Sequence, residues 1–297
     1  SYYMPDINNP AKSMSHPFVT SLYEDRSGMF WVGTGEGLNV FNRDTETFTH
    51  YREEQGNSNS ISNSNIGAIY QDRSGTLWVG TFYGGLNKLL DPKNGTFKRY
   101  RKKDGLPNDT VYGISEDEEG NLWLSTVNSI SKFDPIKEAF KNYSSDTLQN
   151  NEFNGGAWFK AHDGEMFFGG MNGFIAFYPS RIVDNPNSPS MAITDFRVFN
   201  KQYLETSITE EKEVVLPHTE NSFSIEFTAL DFSTPGKNKY AHKMEKVDPD
   251  WVLGNAKQRF ANYTKLSPGK YLFQVIGTNN DGIWSPKPAA LRIIITP

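Results

Sequence analysis

The stretch Asp72-Arg73-Ser74-Gly75-Thr76-Leu77-Trp78-Val79-Gly80-Thr81 has close copies on both sides of it. Upstream stands Asp25-Arg26-Ser27-Gly28-Met29-Phe30-Trp31-Val32-Gly33-Thr34, and downstream Asp117-Glu118-Glu119-Gly120-Asn121-Leu122-Trp123-Leu124-Ser125-Thr126. A worn fourth copy is Asp163-Gly164-Glu165-Met166-Phe167-Phe168-Gly169-Gly170. The marked aromatic falls at Trp31, Trp78, Trp123 and Phe167, in steps of 47, 45 and 44 residues. That interval is in the range of propeller blades, each a four-stranded antiparallel sheet.

Each copy reads as a tight turn entering the second strand of a hairpin. Apolar residues alternate before it, Val19, Leu22 and Tyr23 in one copy and Ile66, Ile69 and Tyr70 in the next. The Asp and the Gly suit the turn, and the Gly is expected at positive φ. The Gly of Gly-Thr leaves room for a neighbouring sheet to approach. The Trp is expected in the core, where Trp78→Ala would cost about 3–5 kcal/mol.

Two further ladders complete the unit. Gly37-Leu38-Asn39-Val40-Phe41, Gly85-Leu86-Asn87-Lys88-Leu89, Ser129-Ile130-Ser131-Lys132-Phe133 and Gly173-Phe174-Ile175-Ala176-Phe177 read as third strands. Phe48 with Tyr51, Phe97 with Tyr100 and Phe140 with Tyr143 mark short outer strands. No such pair follows Phe177, while Tyr3 stands 48 residues before Tyr51. Residues 1–3 either complete the fourth blade and close a small ring, or are the end of a preceding blade in a longer array. The start part-way through a repeat favours the longer array, whose flanking sheets would expose apolar faces.

The repeat stops after Tyr178-Pro179, and Asp184-Asn185-Pro186-Asn187-Ser188-Pro189 reads as a linker. The expected organisation is therefore blades over 1–183, a linker over 184–189 and a second domain over 190–297. In the second domain Phe223, Ile225, Phe227 and Ala229 alternate, as do Tyr271, Phe273 and Val275, then Leu291, Ile293 and Ile295. Ser267-Pro268-Gly269-Lys270 suggests a type II turn, and Asn280-Asp281-Gly282 another. The expected fold class is all-β, with β-propeller blades followed by an immunoglobulin-like β-sandwich. Trp251, Tyr263 and Trp284 are candidate core or edge anchors.

The 297 residues, 36% hydrophobic and 14% aromatic, suffice for sizeable cores. A formal net charge of −5 argues against a nucleic-acid partner, and no basic run is expected to offset it. Without cysteine there is neither a disulfide framework nor a thiolate metal site. No run approaches the roughly 18 apolar residues of a membrane span, and no basic-then-apolar leader opens the sequence, so a soluble, mature or trimmed chain is expected.

The D-x-x-G-x-x-W-V-G-T repeats resemble the regulator-propeller repeats in the periplasmic sensor region of hybrid two-component systems, which glycan-foraging bacteria use to detect polysaccharide fragments. The second domain resembles the three-tyrosine (Y_Y_Y) domain that follows those propellers, through Lys239-Tyr240, Ala261-Asn262-Tyr263-Thr264 and Pro268-Gly269-Lys270-Tyr271, with Trp251, Asp281-Gly282 and Trp284. The resemblance implies the C-terminal part of an extracytoplasmic sensor of an inner-membrane histidine kinase. It also implies an oligosaccharide ligand, pairing of two chains through 190–297, and a membrane connection through a span beyond this sequence. The repeats number fewer than such sensors carry, and no kinase or response regulator is included.

Blade topology places the loops joining second to third strands, and fourth strands to the next blade, on one face. Glu36, Phe82, Tyr83, Asn128, Met171 and Asn172 fall on the first loop set, and Arg52, Arg101, Asn151, Glu152 and Asn154 on the second. Sugar recognition combines flat aromatic faces with planar polar groups. The expected ligand-binding set is Phe82, Tyr83, Asn128, Asn151, Glu152, Asn154, Trp158 and Asn172, although Trp158 reads more readily as core. No cofactor is implied.

Two rivals are a propeller-type glycoside hydrolase or lyase and a protein-binding scaffold. The turns faintly resemble sialidase Asp boxes, with different spacing, and such turns are structural. Glycoside cleavage needs two carboxylates facing one bond; Glu36 and Glu152 are the candidates, and solvated loop carboxylates are the commoner case. His16, His50, His162, His218 and His242 show no metal-ligand spacing.

Overall fold

The computed structural model describes residues 2–6, 8–144, 152–199, 201–203 and 213–297. They divide into two compact units, Ser1–Ile182 and Val183–Pro297. In the first unit the described strands are β1 (Val19–Glu24), β2 (Phe30–Thr34), β3 (Gly37–Asn42), β4 (Thr47–Tyr51), β5 (Ile66–Gln71), β6 (Leu77–Thr81), β7 (Gly85–Asp91), β8 (Thr96–Tyr100), β9 (Gly113–Glu116), β10 (Leu122–Ser125), β11 (Ser129–Asp134), β12 (Ala139–Ser144), β13 (Phe153–Lys160), β14 (Met166–Gly170) and β15 (Gly173–Phe177). Among the described residues they form three four-stranded meanders, β1–β4, β5–β8 and β9–β12, and a three-stranded one, β13–β15. The fourth sheet has no described outer strand, in keeping with the missing Phe-x-x-Tyr pair.

The repeated residues explain the sheets. In the first turn Asp25 Oδ1 accepts the backbone N–H groups of Ser27 and Met29, while Oδ2 accepts the Trp31 indole N–H at 2.9 Å. Asp72 does the same for Thr76 N–H and Trp78, and Asp117 for Glu119, Asn121 and Trp123. One carboxylate thus closes the turn and satisfies an indole that burial would otherwise leave unpaired. The turn glycines Gly28, Gly75, Gly120 and Gly164 all have positive φ. In the worn repeat Ala161 takes the place of the turn Asp, its N–H donating to Glu165 O as Asp117 N–H donates to Asn121 O, and the Phe167 ring has no N–H to offer; Asp163, two residues on, accepts the Tyr178 hydroxyl.

The rest of the motif joins one sheet to the next. The Gly80 backbone leaves no room for a side chain: a Cβ there would meet Val111 Cγ1 at 2.8 Å. Buried Asn39 and Asn87 accept the backbone N–H of Ser15 and Ser62, pinning the segments that lead into β1 and β5. Arg26 donates to the carbonyls of Asp72 and Arg73, and Arg73 donates to those of Asp117 and Glu118. The cores lie between sheets: Trp31 and Phe97 share one, Trp78 and Phe133 a second, Trp123 and Phe168 a third. Each stack buries large aromatics at about 25 cal/mol per Å² of apolar surface.

Tyr3 packs on Phe41 and Phe48 with ring centroids 4.8 and 5.7 Å away, and its hydroxyl donates to Glu46. Tyr100 meets Phe133 and Phe140 at 4.9 and 6.3 Å and donates to Glu138. Tyr3 therefore occupies on the first sheet the place that an outer-strand tyrosine occupies on the sheet after its own. At the two flanks Phe18 and Leu22 of the first repeat and Phe159 and Phe174 of the fourth are exposed.

The second unit contains β16 (Met191–Val198), β17 (Lys201–Gln202), β18 (Glu213–Pro217), β19 (Phe223–Ala229), β20 (Tyr240–Met244), β21 (Val252–Gly254), β22 (Phe260–Tyr263), β23 (Gly269–Gly277) and β24 (Ala289–Thr296). Sheets β17-β16-β19-β22 and β18-β24-β23-β20-β21 enclose one core that includes Phe196, Phe227, Tyr240, Phe273 and Ile293. Burial alternates along β19 as the two-residue period demands. The three tyrosines of the motif each anchor a connection: Tyr240 OH accepts Ala229 N–H, Tyr263 OH donates to Asp248, and Tyr271 OH donates to Ser267 O.

Two sequence expectations differ from the structure. Gly269 does not adopt positive φ, because it already begins β23 opposite Ile295; the left-handed residue nearby is Lys265. The 184–189 segment is not free. Asn279 donates to the carbonyls of Asn185 and Asn187, and Asn185 bonds Asp231, Asn280 and Asp281, which binds the segment to the second unit. Of the proposed anchors, Tyr263 is core, Trp251 is half-buried and Trp284 is exposed.

Candidate functional site

The connection from β8 to β9 lies along the β6–β7 loop. Phe82 N–H donates to Asn65 O, Tyr83 N–H to Thr110 Oγ1, Gly85 N–H to Asp109 O, and Val111 N–H to Thr81 O. These bonds hold Phe82 half-buried and leave Tyr83 75% exposed at φ +72°, a left-handed conformation that a bulky residue seldom adopts. The Phe82 ring meets Tyr112 edge-on, with centroids 5.5 Å apart.

Tyr112 in turn donates its hydroxyl to Glu152 Oε1 at 3.3 Å, and Glu152 O accepts Met171 N–H from the β14–β15 turn. Loops of the second, third and fourth repeats are thereby joined through Phe82, Tyr112 and Glu152. Burial first, then the Glu152 charge, pushes the Tyr112 phenol above its ordinary value, so it remains a hydroxyl donor at neutral pH. The arrangement offers two aromatic surfaces beside a carboxylate, which suits a polyhydroxylated ligand: apolar sugar faces on rings, hydroxyls on Glu152.

Of the sequence-selected residues, Phe82, Tyr83 and Glu152 come together here. Asn128, Asn154 and Asn172 are exposed, and no recorded hydrogen bond joins Asn128 or Asn154 to the group. Trp158 packs half-buried between the second-to-third and third-to-fourth cores. That is the packing reading. Asn151 lies outside the described residues. Tyr112 was not selected, yet it connects the group; it stands where the sister repeats have Thr20 and Gly67. A large aromatic replacing small residues at the mouth of an inner strand was the available signal. No hydrogen bond among the described residues joins Glu36 to Glu152, and no group of three or more His, Asp or Glu there is arranged to hold a metal ion.

Residues 13–36, 60–83 and 105–128 match the two component regulator propeller family, and residues 231–296 match the Y_Y_Y domain. The chain is built of regulator-propeller repeats followed by a Y_Y_Y domain. It is 31% identical over 299 residues to histidine kinase P4 of Formosa agariphila, covering 96% of this chain and 21% of that protein. The crystal structure of the extracellular domain of the hybrid two component system BT3049 from B. thetaiotaomicron is 30% identical and superposes with a TM-score of 0.82, over 100% of this chain and 40% of that one. The regulator-propeller and Y_Y_Y units thus correspond to less than half of each relative. No helix among the described residues is long and apolar enough to cross a membrane.

Proposed function

We propose that this chain is the C-terminal part of the periplasmic sensor region of a hybrid two-component histidine kinase, that its regulator-propeller unit contacts a glycan fragment, and that its Y_Y_Y unit passes the signal towards the membrane. The observation that carries the ligand reading is the Phe82–Tyr112–Glu152 group with Tyr83 exposed beside it. The similarity to an extracellular domain of a two component system supports the sensor reading. In this reading the segment performs no catalysis, and two chains pair through residues 190–297, whose edge strand β21 exposes Leu253. A two-fold pair converts a ligand-induced shift into a change that two membrane-tethered partners can share.

The test is a glycan screen followed by calorimetry and product analysis. A bound oligosaccharide should lose roughly tenfold or more in affinity with Tyr112→Ala, at the magnitude of one lost aromatic contact and hydrogen bond, and should be recovered uncleaved. Turnover that survives repurification would overturn the sensor reading. Sedimentation of the chain across a concentration series tests the pairing, and a monomer throughout, with no cross-links between Y_Y_Y units in the membrane-bound parent, would remove it.

A further inference from the structure

The run Lys98-Arg99-Tyr100-Arg101-Lys102-Lys103 departs from the acidic balance of the chain, and the sequence expectation of no basic run fails here. The same positions at the end of the first outer strand read Thr49-His50-Tyr51-Arg52-Glu53-Glu54. Tyr51 and Tyr100 pack alike, each 6.0 Å from the tryptophan of its own sheet. A blade therefore forms without this density of cations, and scaffold alone does not account for it.

The structure gathers the run around a groove of about 370 Å³ on the outer rim of the second sheet. Its lining includes Lys98, Arg99, Arg101, Lys103, Asn59 and exposed Leu90, and contains no carboxylate. Part of the charge is committed. Arg99 binds the carbonyls of Asn57 and Ser60 and holds that loop against β8, and Lys98 pairs with Glu138 at 2.6 Å. Asp104 and Asp109 are occupied by the backbone N–H groups of Arg101 and Lys102.

Among the described residues the other two cations of the groove, Arg101 and Lys103, form no ion pair with a carboxylate. Arg101 reaches Ser62 O through Nη2, but its buried Nε has no partner. Among the described residues Lys103 makes no recorded hydrogen bond or ion pair. Arg99 is driven below its ordinary pKa first by burial and then by repulsion from Arg101, against a weaker opposing pull from Glu53. Two guanidiniums that line one groove without a carboxylate between them are stabilised when an oxyanion enters it.

We propose that this rim groove binds the carboxylate or sulfate groups of an acidic oligosaccharide, with Arg101 and Lys103 meeting the anion and Leu90 meeting a sugar-ring face. The inference rests on the glycan-sensing reading and adds a cationic contact beside the β6–β7 loop, where a Cβ on Gly85 would lie 3.4 Å from Arg101 Cα. A single-stranded nucleic acid would call for exposed aromatic platforms along a longer cationic track. Here Phe97 and Tyr100 are buried and the chain is net acidic.

Calorimetric titration of the chain with a galacturonate tetramer, a heparin-derived tetrasaccharide and a neutral galactan tetramer tests this. The same titrations on Lys103→Glu and Tyr83→Ala, both at exposed positions, separate the two sites, with unchanged thermal midpoints as the folding control. At least one acidic tetramer should bind, should weaken as salt rises, and should lose roughly tenfold or more with Lys103→Glu. Failure of both acidic tetramers to bind, equal binding by wild type and Lys103→Glu, or preferential binding of single-stranded DNA would overturn the groove. Neutral binding lost in Tyr83→Ala, with no acidic tetramer sensitive to Lys103→Glu, would uphold the loop face and overturn the groove. Acidic binding lost only in Lys103→Glu would uphold the groove and count against the loop face.

Discussion

Trp78 donates its indole N–H to Asp72 Oδ2 at 2.7 Å, with no part of the tryptophan exposed. The same carboxylate accepts the Thr76 backbone N–H and the Ser74 hydroxyl. Asp72→Ala leaves a buried donor and an open turn together, so it should cost about 2–4 kcal/mol by chemical denaturation. Asp163→Ala, on the exposed turn of the worn repeat, should cost less than about 1 kcal/mol. Equal losses at the two positions would contradict the shared role assigned to the Asp–Trp pair.

Acid should weaken the first unit. Burial raises the Asp25 pKa, but hydrogen bonds from Ser27, Trp31 and the backbone N–H of Met29 and Ser27 outweigh it and leave the carboxyl below its ordinary value. A depressed folded pKa means that the stabilisation is complete above the unfolded value, roughly pH 4, and is lost as pH falls through the folded one. Denaturation midpoints for wild type and Asp25→Asn should therefore differ at neutral pH and converge as pH falls through the depressed folded pKa of Asp25. A gap that widens on acidification would reverse the assignment.

Two glycines of one repeat should respond differently to alanine. Gly80→Ala drives a methyl against Val111, whose carbonyl oxygen would lie at 2.9 Å, and should cost about 1–3 kcal/mol through forced separation of the second and third sheets. Gly75 faces open space but holds φ +91°. Its alanine variant should cost about 1–2 kcal/mol from backbone strain alone. A second substitution, Val111→Ala, removes the Cγ1 contact but not the carbonyl contact, so it should relieve part of the first loss and leave the second unchanged when the double mutants are compared by thermal melting.

Proteolysis should report on the Asn279 clamp. Its amide holds two carbonyls of the 184–189 segment, and its Oδ1 accepts the N–H groups of Asp281 and Ile283. Cleavage within that segment should be slow in wild type and faster by roughly tenfold or more in Asn279→Ala, the change expected for losing several buried hydrogen bonds. Rapid cutting of wild type between Asp184 and Pro189 would mean that the clamp does not protect it.

The sequence by itself determined the blades, because Asp-x-x-Gly-x-x-Trp encodes a local turn, a local hydrogen bond and a buried ring within seven residues, and repetition made it visible. Alternation in Phe223–Ala229 and its neighbours likewise determined the sandwich, since burial on one face of a strand imposes a period of two. Only the tertiary structure decided which loop residues meet. Tyr112 reaches Phe82 and Glu152 across 30 and 40 positions, and no short-range pattern records that encounter. The same holds for the linker: its prolines read as freedom, but Asn279, more than 90 positions away, supplies the bonds that hold it. Contacts within a repeat are written in neighbouring residues, whereas contacts between loops depend on how whole sheets stack, and that is set by the packing of many side chains at once.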